Sequence, residues 1–259
     1  MMPPPTPGRV LILGGTRLAY DLAAHLASEA TPDRWHVLTS LAGRTSHPRH
    51  PPGEIRIGGF GGVDGMTESL RQDNIMAVID ATHRFAWQIS HHAERACRAL
   101  STPYLRLEPR RWRAERGWLR VRNEAQAARV LRCLLPGLKR RRVLLALGYQ
   151  HLRPFRGLPR GHFLVRTLNP AAPIPLMHAR RLIQPPGDYA QEYGLLRRAR
   201  IDALVARNSG GTMGYGKLRA AQKLGIRVIL IDPPTAIRGP KRAQTPRQAR
   251  AWLAALRGF

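Results

Sequence analysis

Residues 9–16 read RVLILGGT, and this stretch decides the fold. After Arg9, residues 10–13 are apolar and branched, which predicts a short buried strand over residues 9–13. Two glycines and a threonine follow at once, and Leu18, Leu22 and Leu26 then recur at helical spacing. A strand, a glycine turn and a helix place backbone N–H groups at a helix N-terminus, which favours a phosphate there.

The same alternation continues through the first half of the chain. Apolar runs predict further strands at residues 37–40, 54–58, 75–80 and 103–107, and helical spacing between them predicts helices at 64–71 and 86–100. Strands that alternate with helices indicate a parallel, doubly wound sheet.

A second alternation begins after an arginine-rich break at residues 108–117. Strands are predicted at 118–121, 143–147, 163–168, 203–206 and 228–231, and helices at 124–135, 190–199 and 217–224. Thr245-Pro246 then supplies an N-cap and a first helical proline for a last helix. We therefore predict an α/β protein with two Rossmann-like parallel-sheet domains and a cleft between them. The predicted divisions are a tail at 1–8, a dinucleotide-binding domain at 9–115 and a second domain at 116–259.

The balance of charge is strongly basic. Lysine and arginine total 43 against 16 acidic residues, a formal net charge of +27. Such a field attracts anions, so a polyanionic small molecule, a nucleic acid, or solvated arginines without a partner could each account for it. No recognition helix, zinc finger or RNA-binding signature is visible in the sequence, which makes nucleic acid the weaker partner.

The composition also bears on the compartment. Only two cysteines occur, Cys97 and Cys133, and their spacing suits neither a disulfide framework nor a structural zinc site. No apolar run reaches the roughly 20 residues of a membrane helix. The first eight residues lack the basic-then-apolar layout of a secretory signal. We expect a soluble cytoplasmic protein without a bound metal or a membrane partner.

The loop after the second predicted strand bears on the cofactor. The first turn matches G-x-G-x-x-G only in part, with Thr16 at the second glycine position and Ala19 at the third. An NAD site usually has an acid after the second strand for the ribose hydroxyl, whereas this chain has Ser40 and Arg44 nearby, which suit a 2′-phosphate. We predict that Gly14, Gly15, Thr16, Ser40 and Arg44 bind NADPH; NADH is the alternative nucleotide, and an ordinary polar loop the alternative structure.

Two further loops follow predicted strands, at the edge where open α/β sheets bind ligands. Residues 80–85 read DATHRF, so Thr82 and His83 are candidates there, and His83 could donate a proton. A structural hydrogen bond is the alternative role of this histidine. Residues 207–211 read RNSGG and offer side-chain donors and close backbone approach to an anion. The alternative for this second loop is a plain helix cap with a tight turn.

Taken together, these loops resemble those of the precorrin-6A reductase family. The matching pieces are residues 12–16 (ILGGT), 40–45 (SLAGRT), 56–62 (RIGGFGG), 78–85 (VIDATHRF), 88–90 (QIS), 98–107, 208–211 (NSGG) and Lys217-Leu218. They follow the family's order over nearly the whole chain. Several motifs in one order are far more specific than any single motif.

The resemblance implies an oxidoreductase of cobalamin biosynthesis. Its reaction would be the NADPH-dependent reduction of precorrin-6A to precorrin-6B, with hydride transfer to a double bond of a polyanionic tetrapyrrole. It also implies two Rossmann-like domains with cofactor and substrate near their interface. Gly14, Gly15, Thr16 and Thr82 would contact the cofactor, and His83 would act at the reacting centre. The loop Asn208, Ser209, Gly210 and Gly211, with Lys217, would close the site from the second domain.

The chain departs from the family pattern at four places. Leu18 replaces an acid, Arg84 a proline and Arg207 a lysine, and residues 184–189 (QPPGDY) replace a glycine-proline-phenylalanine stretch. These changes leave two alternative functions open: a catalytically silent tetrapyrrole or nucleotide binder, and a basic Rossmann protein associated with nucleic acid. The metal status of the substrate and the oligomeric state are open at this point.

Overall fold

The computed structural model describes residues 8–28, 35–43, 50–234 and 239–256. Its strands are β1 (Gly8–Leu13), β2 (Trp35–Leu41), β3 (Glu54–Ile57), β4 (Ile75–Asp80), β5 (Tyr104–Leu107), β6 (Leu119–Val121), β7 (Arg142–Ala146), β8 (His162–Thr167), β9 (Ala179–Ile183), β10 (Ala203–Arg207), β11 (Arg227–Ile231) and β12 (Lys241–Ala243). Its α-helices are α1 (Arg17–Ala27), α2 (Gly62–Gln72), α3 (Trp87–Ala99), α4 (Glu124–Leu134), α5 (Tyr189–Arg198), α6 (Gly216–Lys223) and α7 (Pro246–Leu256).

The first sheet has the order β3-β2-β1-β4-β5-β12, and its strand pairs are parallel. This is the doubly wound order, in which the chain adds β2 and β3 on one side of β1 and then β4 and β5 on the other. We call the position between β1 and β4, where the order changes side, the reversal of the sheet. Alternate residues of β1 point to opposite faces: Val10 and Ile12 pack in a core with α1 and α7, whereas Leu11 and Leu13 pack in another with α2 and α3. Both faces are therefore covered by helices, and the carboxyl ends of β1 and β4 meet at the reversal.

The second sheet repeats this order as β9-β8-β7-β10-β11-β6, again with parallel pairs. Its reversal lies between β7 and β10. Leu144 of β7 and Leu204 of β10 pack in one core with Leu196 of α5 and Leu218 of α6. Each sheet thus has the same five-strand arrangement plus one outer strand. In the first sheet this strand is β12, near the end of the chain, and in the second sheet it is β6, the first strand after residue 110.

The structure divides the chain differently from the sequence prediction. One compact unit comprises Met1–Pro109 with Ala236–Phe259, and the other comprises Arg110–Thr235. The C-terminal part returns to the first unit because β12 pairs with β5, and α7 packs against α1. The predicted boundaries of 9–115 and 116–259 missed this return, since the sequence KRA of β12 carries no apolar pattern.

The predicted fold class is confirmed as two parallel α/β sheets of six strands. The seven predicted helices and ten predicted strands are present, with bounds that differ by about two residues; β9 and β12 are the strands that the sequence did not indicate. Gly8 belongs to β1 rather than to the predicted tail, whose residues 1–7 lie outside the described part. Among the described helices, none is long and apolar enough to cross a membrane.

Candidate functional site

The glycine turn after β1 is fixed to the neighbouring strands on both sides. The N–H of Gly14 donates to the carbonyl of Ser40 on β2 (2.8 Å), and the Thr16 hydroxyl donates to the carbonyl of Ala81 after β4 (2.6 Å). The same Thr16 oxygen caps α1 by accepting from the N–H of Ala19 (3.3 Å). The turn therefore spans the reversal of the first sheet and presents the N-terminus of α1 there.

Two glycines make this turn accessible to a ligand. A Cβ at Gly14 would lie 3.0 Å from Thr39 Cγ2 and 3.2 Å from the Ser40 carbonyl oxygen, so a side chain there would crowd β2. Gly15 has φ +95°, and a Cβ there would meet nothing within 4 Å. The open space beside Gly15 adjoins the N-terminus of α1, where the N–H of Ala19 donates to Thr16 and the first two N–H groups, those of Arg17 and Leu18, have no acceptor within the helix. A phosphate group fits this arrangement.

The residues predicted to select the nucleotide are only partly described. Ser40 lies at the end of β2 and is buried, with 7% exposure, while its carbonyl holds Gly14. Arg44 lies outside the described residues. The neighbouring Thr39 is also buried, and its hydroxyl has no partner among the described residues. The part that Ser40 and Arg44 play in binding a 2′-phosphate stays a prediction.

A buried carboxylate, Asp80, lies at the end of β4. One of its oxygens forms an ion pair with Arg106 of β5 (2.5 Å) and accepts from the hydroxyl (2.7 Å) and the N–H (3.0 Å) of Thr82. The other oxygen accepts from the Tyr104 hydroxyl (2.8 Å). Burial raises the pKa of Asp80, but Arg106 and hydrogen bonds from Ser90 and Thr82 outweigh it, so the net pKa lies below its ordinary value. Asp80 is therefore ionised and anchors the loop that follows it.

Arg106 ties that loop to the rest of the unit. Its guanidinium donates to the Thr82 hydroxyl and carbonyl (3.0 Å each) and to the Asp80 carbonyl (3.2 Å), and it pairs with Glu108 (3.3 Å). Glu108 also pairs with Arg84 (3.1 Å) and with Arg242 of β12 (2.7 Å). The network thus joins the loop after β4 to the returning outer strand. Thr82 is held on both sides by protein groups.

His83 is exposed in this loop. Its Nδ1 accepts from the N–H of Phe85 (3.3 Å), and the two rings stack at 5.8 Å. The contacts of His83 with Phe85 fit the alternative of a structural hydrogen bond, and the exposure of the His83 side chain fits contact with a ligand. A catalytic part for His83 stays a prediction.

In the second unit, Asn208 is buried rather than presented to solvent, with 1% exposure. Its side-chain oxygen accepts from the N–H of Trp112 (3.0 Å), and its amide donates to the Trp112 carbonyl (3.0 Å) and to Asp232 (3.3 Å). The side chain therefore pins the start of the second unit against β10. These partners lie 96 and 24 residues away in the sequence, so local sequence context could not indicate them.

The backbone of the same loop is largely used within the protein. The N–H groups of Asn208, Ser209 and Gly211 donate to the carbonyls of Ile231 (2.8 Å), Arg207 (2.9 Å) and Arg110 (3.0 Å). The indole N–H of Trp112 donates to the Gly211 carbonyl (2.5 Å). Three of the backbone N–H groups in the loop that was expected to let an anion approach closely are therefore bonded within the protein. Ligand contacts of Ser209 and Gly210 stay a prediction.

Charged side chains fill the end of the second sheet at its reversal. Arg207 pairs with Glu124 (2.5 Å) and contacts His151 Nδ1 (2.7 Å), which itself lies 3.6 Å from Glu124. Burial raises the pKa of Glu124, but the hydrogen bond and charge of Arg207 outweigh it and the net pKa is lowered. Burial lowers the pKa of Arg207, which Glu124 only partly offsets. Arg207 is thus a paired residue, and Glu124 and His151 were not among the predicted site residues.

Lys217, in the first turn of α6, is also buried. Its ammonium donates to the Gly214 carbonyl (2.7 Å) and lies 5.4 Å from the centre of the Trp112 ring. Nearby, Arg166 pairs with Glu192 (2.9 Å), and both side chains are buried. Burial and then the charge of Arg166 lower the pKa of Lys217, Glu192 opposes the shift, and the net pKa is about 8. Two cations therefore share one buried carboxylate beneath the loop before α6.

Comparison with known proteins identifies the family. The family described as precorrin-6x reductase CbiJ/CobK matches residues 9–254, which span both units. This chain belongs to the precorrin-6x reductase family. The family resemblance inferred from the ordered loops is confirmed, and it includes the second unit, where the motif matches were sparser.

Several proteins of this family are similar to the chain over most of their length. A precorrin-6A reductase of Mycobacterium tuberculosis is 39% identical over 250 residues, covering 96% of this chain and 98% of the relative. One from a Sinorhizobium species is 40% identical over 228 residues, covering 86% and 84%. A solved structure described as CobK precorrin-6A reductase is 38% identical and superposes with a TM-score of 0.83 over 96% of both chains. The two-sheet architecture is therefore that of a solved family member.

Proposed function

We propose that this protein reduces precorrin-6A to precorrin-6B with NADPH as the hydride donor. The observation that carries the proposal is the near-complete match, at 39% identity, to a relative named precorrin-6A reductase. The glycine turn at the reversal of the first sheet supports the cofactor part, because it offers backbone donors and open space to a phosphate group. A catalytically silent binder and a nucleic-acid partner gain no support from any contact described above.

Within this proposal, the protein's own groups bind and orient. Gly14, Gly15 and the first turn of α1 hold the phosphates, and the sequence favours Ser40 and Arg44 for the 2′-phosphate. NADPH supplies the hydride when bound, so the protein need only position the reacting groups and supply electrostatics. The ion pair of Asp80 with Arg106 keeps Thr82 in place and thereby fixes the loop that presents His83.

The strong positive charge suits the substrate in this proposal. The substrate carries several carboxylates, and a positive field raises the rate of encounter with such an anion. Residues 110–160 hold 15 lysines or arginines against Glu115 and Glu124. The second unit therefore contributes much of the field that would draw the substrate in.

The test is turnover of precorrin-6A by the purified full-length protein, followed by loss of the reduced-nicotinamide absorbance and by identification of the product. We expect turnover with NADPH and a higher KM with NADH. Arg44→Ala should weaken NADPH selectively, by about tenfold or more, because a charge-assisted hydrogen bond typically contributes about 1.5–3 kcal/mol. Arg71→Ala, which removes an exposed arginine of the first unit, is the control.

Two results would contradict the proposal. Absence of turnover with either nucleotide, in protein that binds precorrin-6A, would indicate a silent binder. Equal weakening of NADPH and NADH by Arg44→Ala would reject the assignment of Arg44 to the 2′-phosphate while leaving the reductase proposal intact.

A further inference from the structure

Large apolar side chains are exposed at the carboxyl edge of the second sheet. Leu168 follows β8 and is 66% exposed, Ile183 ends β9 at 55%, and Met213, in the loop after β10, is 56% exposed. Tyr189, the first residue of α5, is 37% exposed. Because β8, β9 and β10 belong to one parallel sheet, the segments that follow them emerge at the same edge.

These side chains lie on neighbouring segments rather than on scattered ones. Thr167, which precedes Leu168, is the register partner of Ile183. A Cβ at Gly214, next to Met213, would lie 3.9 Å from Pro186 Cβ, and a Cβ at Gly216 would lie 3.0 Å from the Tyr189 nitrogen. We call the set Leu168, Ile183, Pro186, Tyr189 and Met213 the apolar shelf.

The other exposed large apolar side chains of this unit lie elsewhere. Leu119 begins β6 and Met177 precedes β9, so both are at the amino ends of their strands. Single exposed apolar residues are ordinary on a protein surface, whereas a set on adjoining segments marks a binding surface. Methionine and tyrosine suit such a surface, because one adapts its shape and the other combines an apolar ring with a polar tip.

Cations border the apolar shelf. The exposed Arg219 places its guanidinium 5.2 Å from the centre of the Tyr189 ring. Beneath the loop that carries Met213, the charge of Arg166 acts on the buried Lys217, and the Glu192 carboxylate that pairs with Arg166 only partly opposes the resulting shift in the pKa of Lys217. An apolar surface with cations beside it complements a ligand that has an apolar face and carboxylates at its rim.

We propose that the apolar shelf binds one face of the precorrin-6A macrocycle and that Arg219 binds one of its carboxylates; this rests on the proposed function. The shelf includes Pro186 and Tyr189, which belong to the QPPGDY segment at residues 184–189. That segment is one of the four places where the sequence departs from the expected family pattern.

The experiment measures the affinity of the full-length protein for precorrin-6A in the absence of nucleotide, so that no turnover is needed. The variant Leu168→Ser/Ile183→Ser/Met213→Ser should raise the Kd for precorrin-6A by about tenfold or more, since each loses apolar area that the ligand would cover. The Kd for NADPH should not change. Leu119→Ser/Met177→Ser, which removes exposed apolar side chains from the amino ends, is the matched control and should leave both values unchanged.

Arg219→Gln gives a second, independent reading. It should raise the Kd for precorrin-6A and make binding less dependent on salt, because one ionic contact with a carboxylate is lost. An unchanged salt dependence would remove Arg219 from the site.

An unchanged Kd for precorrin-6A in the triple variant would overturn the proposal that the apolar shelf binds the macrocycle. A loss of NADPH binding as large as the loss of precorrin-6A binding would overturn it as well. If the wild type is a dimer that the triple variant dissociates, with precorrin-6A affinity unchanged, the shelf binds a second copy of the chain instead. Failure of the proposed function is a different result, in which the wild type binds precorrin-6A but does not reduce it.

Discussion

The two sheets have the same strand order, but different groups lie at the carboxyl ends of their strands: glycine backbone in the first sheet and charged side chains in the second. At the reversal of the first sheet, Gly14 and Gly15 bring bare backbone and the start of α1 to the surface. At the reversal of the second sheet, Gly148 leads into a short 3-10 turn, and Arg207, Glu124 and His151 contact one another there. The first end offers backbone donors to a ligand, whereas the second is occupied by side chains that bind each other.

This difference shows what topology does and does not determine. The strand order places a crevice at the reversal of each sheet. Whether the crevice accepts a dinucleotide depends on the few residues that follow the strands, because a phosphate must approach the backbone closely. As proposed above, the same order then supports a cofactor site in one unit and a surface for a carboxylated macrocycle in the other.

The largest expected effect tests the buried network at the end of the first sheet. Asp80→Asn removes the charge that faces Arg106 and should lower the free energy of unfolding by about 3–5 kcal/mol, as for other broken buried ion pairs. Asp21→Asn, which affects the exposed pair of Asp21 with Arg17, is the control and should cost less than about 1 kcal/mol. Denaturant unfolding measures both. Equal losses of unfolding free energy in the two variants would mean that Asp80 does not organise the carboxyl end of the first sheet.

The next effect tests whether the loop at the end of β10 is structural. Asn208→Ala leaves the buried N–H and carbonyl of Trp112 without their side-chain partner and should destabilise the protein by about 2 kcal/mol or more. Ser209→Ala, at the adjacent half-buried residue, should change stability by less than about 0.5 kcal/mol. If Asn208→Ala instead leaves thermal stability unchanged and weakens ligand binding, the loop after β10 is a ligand-binding loop like the glycine turn after β1, and its contacts with Trp112 are not structural.

The fold was predictable where a local pattern carried it. The strand β4 was predicted with its observed bounds, because its six residues form an apolar run with a charged residue at the end. The edge strand β9 was missed since its sequence, ARRLI, is mostly exposed and has two arginines at its centre. β12 was missed because a three-residue strand that pairs with β5, more than 130 residues earlier, leaves no local pattern.

The candidate site was predictable at the level of loops but not of partners. The sequence located Gly14–Thr16, Thr82 and Asn208 after their strands, which follows from the alternation of strands and helices alone. It could not show that Arg106 holds Thr82, or that Asn208 is buried against Trp112, because those contacts join distant segments. Arg106 and Glu108 were missed as site residues since an arginine and a glutamate among so many charges have no distinguishing spacing.

A smaller effect concerns the buried cations of the second unit. The pKa of Lys217 is lowered from 10.5 to about 8 in the folded protein, so between these values the unfolded chain binds more protons than the folded one. Stability should therefore rise with pH in this window, by at most about 1.4 kcal/mol per pH unit for one group. Lys217→Met should lack this rise.

The comparison of wild type with Lys217→Met isolates the lysine. Burial raises the pKa of Cys97 to about 12 and also raises that of Tyr104, and both groups oppose the rise at alkaline pH in either protein. Their effects cancel in the difference between the two unfolding curves. A difference that stays constant from about pH 8 to pH 10 would show that Lys217 keeps its ordinary pKa and that the second unit has no strained buried cation.

The most direct test of the account is a calorimetric titration of NADPH into the wild type and into two glycine variants. Gly15 and Gly225 both have positive φ, and a Cβ at either would meet nothing within 4 Å, so neither alanine would collide with a neighbouring atom. The account predicts one NADPH per chain, unchanged in Gly225→Ala and weakened by about tenfold or more in Gly15→Ala, where the added methyl group occupies the approach to the backbone. Two NADPH per chain, or equal binding to both variants, would contradict the claim that the dinucleotide binds at the glycine turn of the first sheet and not at the second sheet.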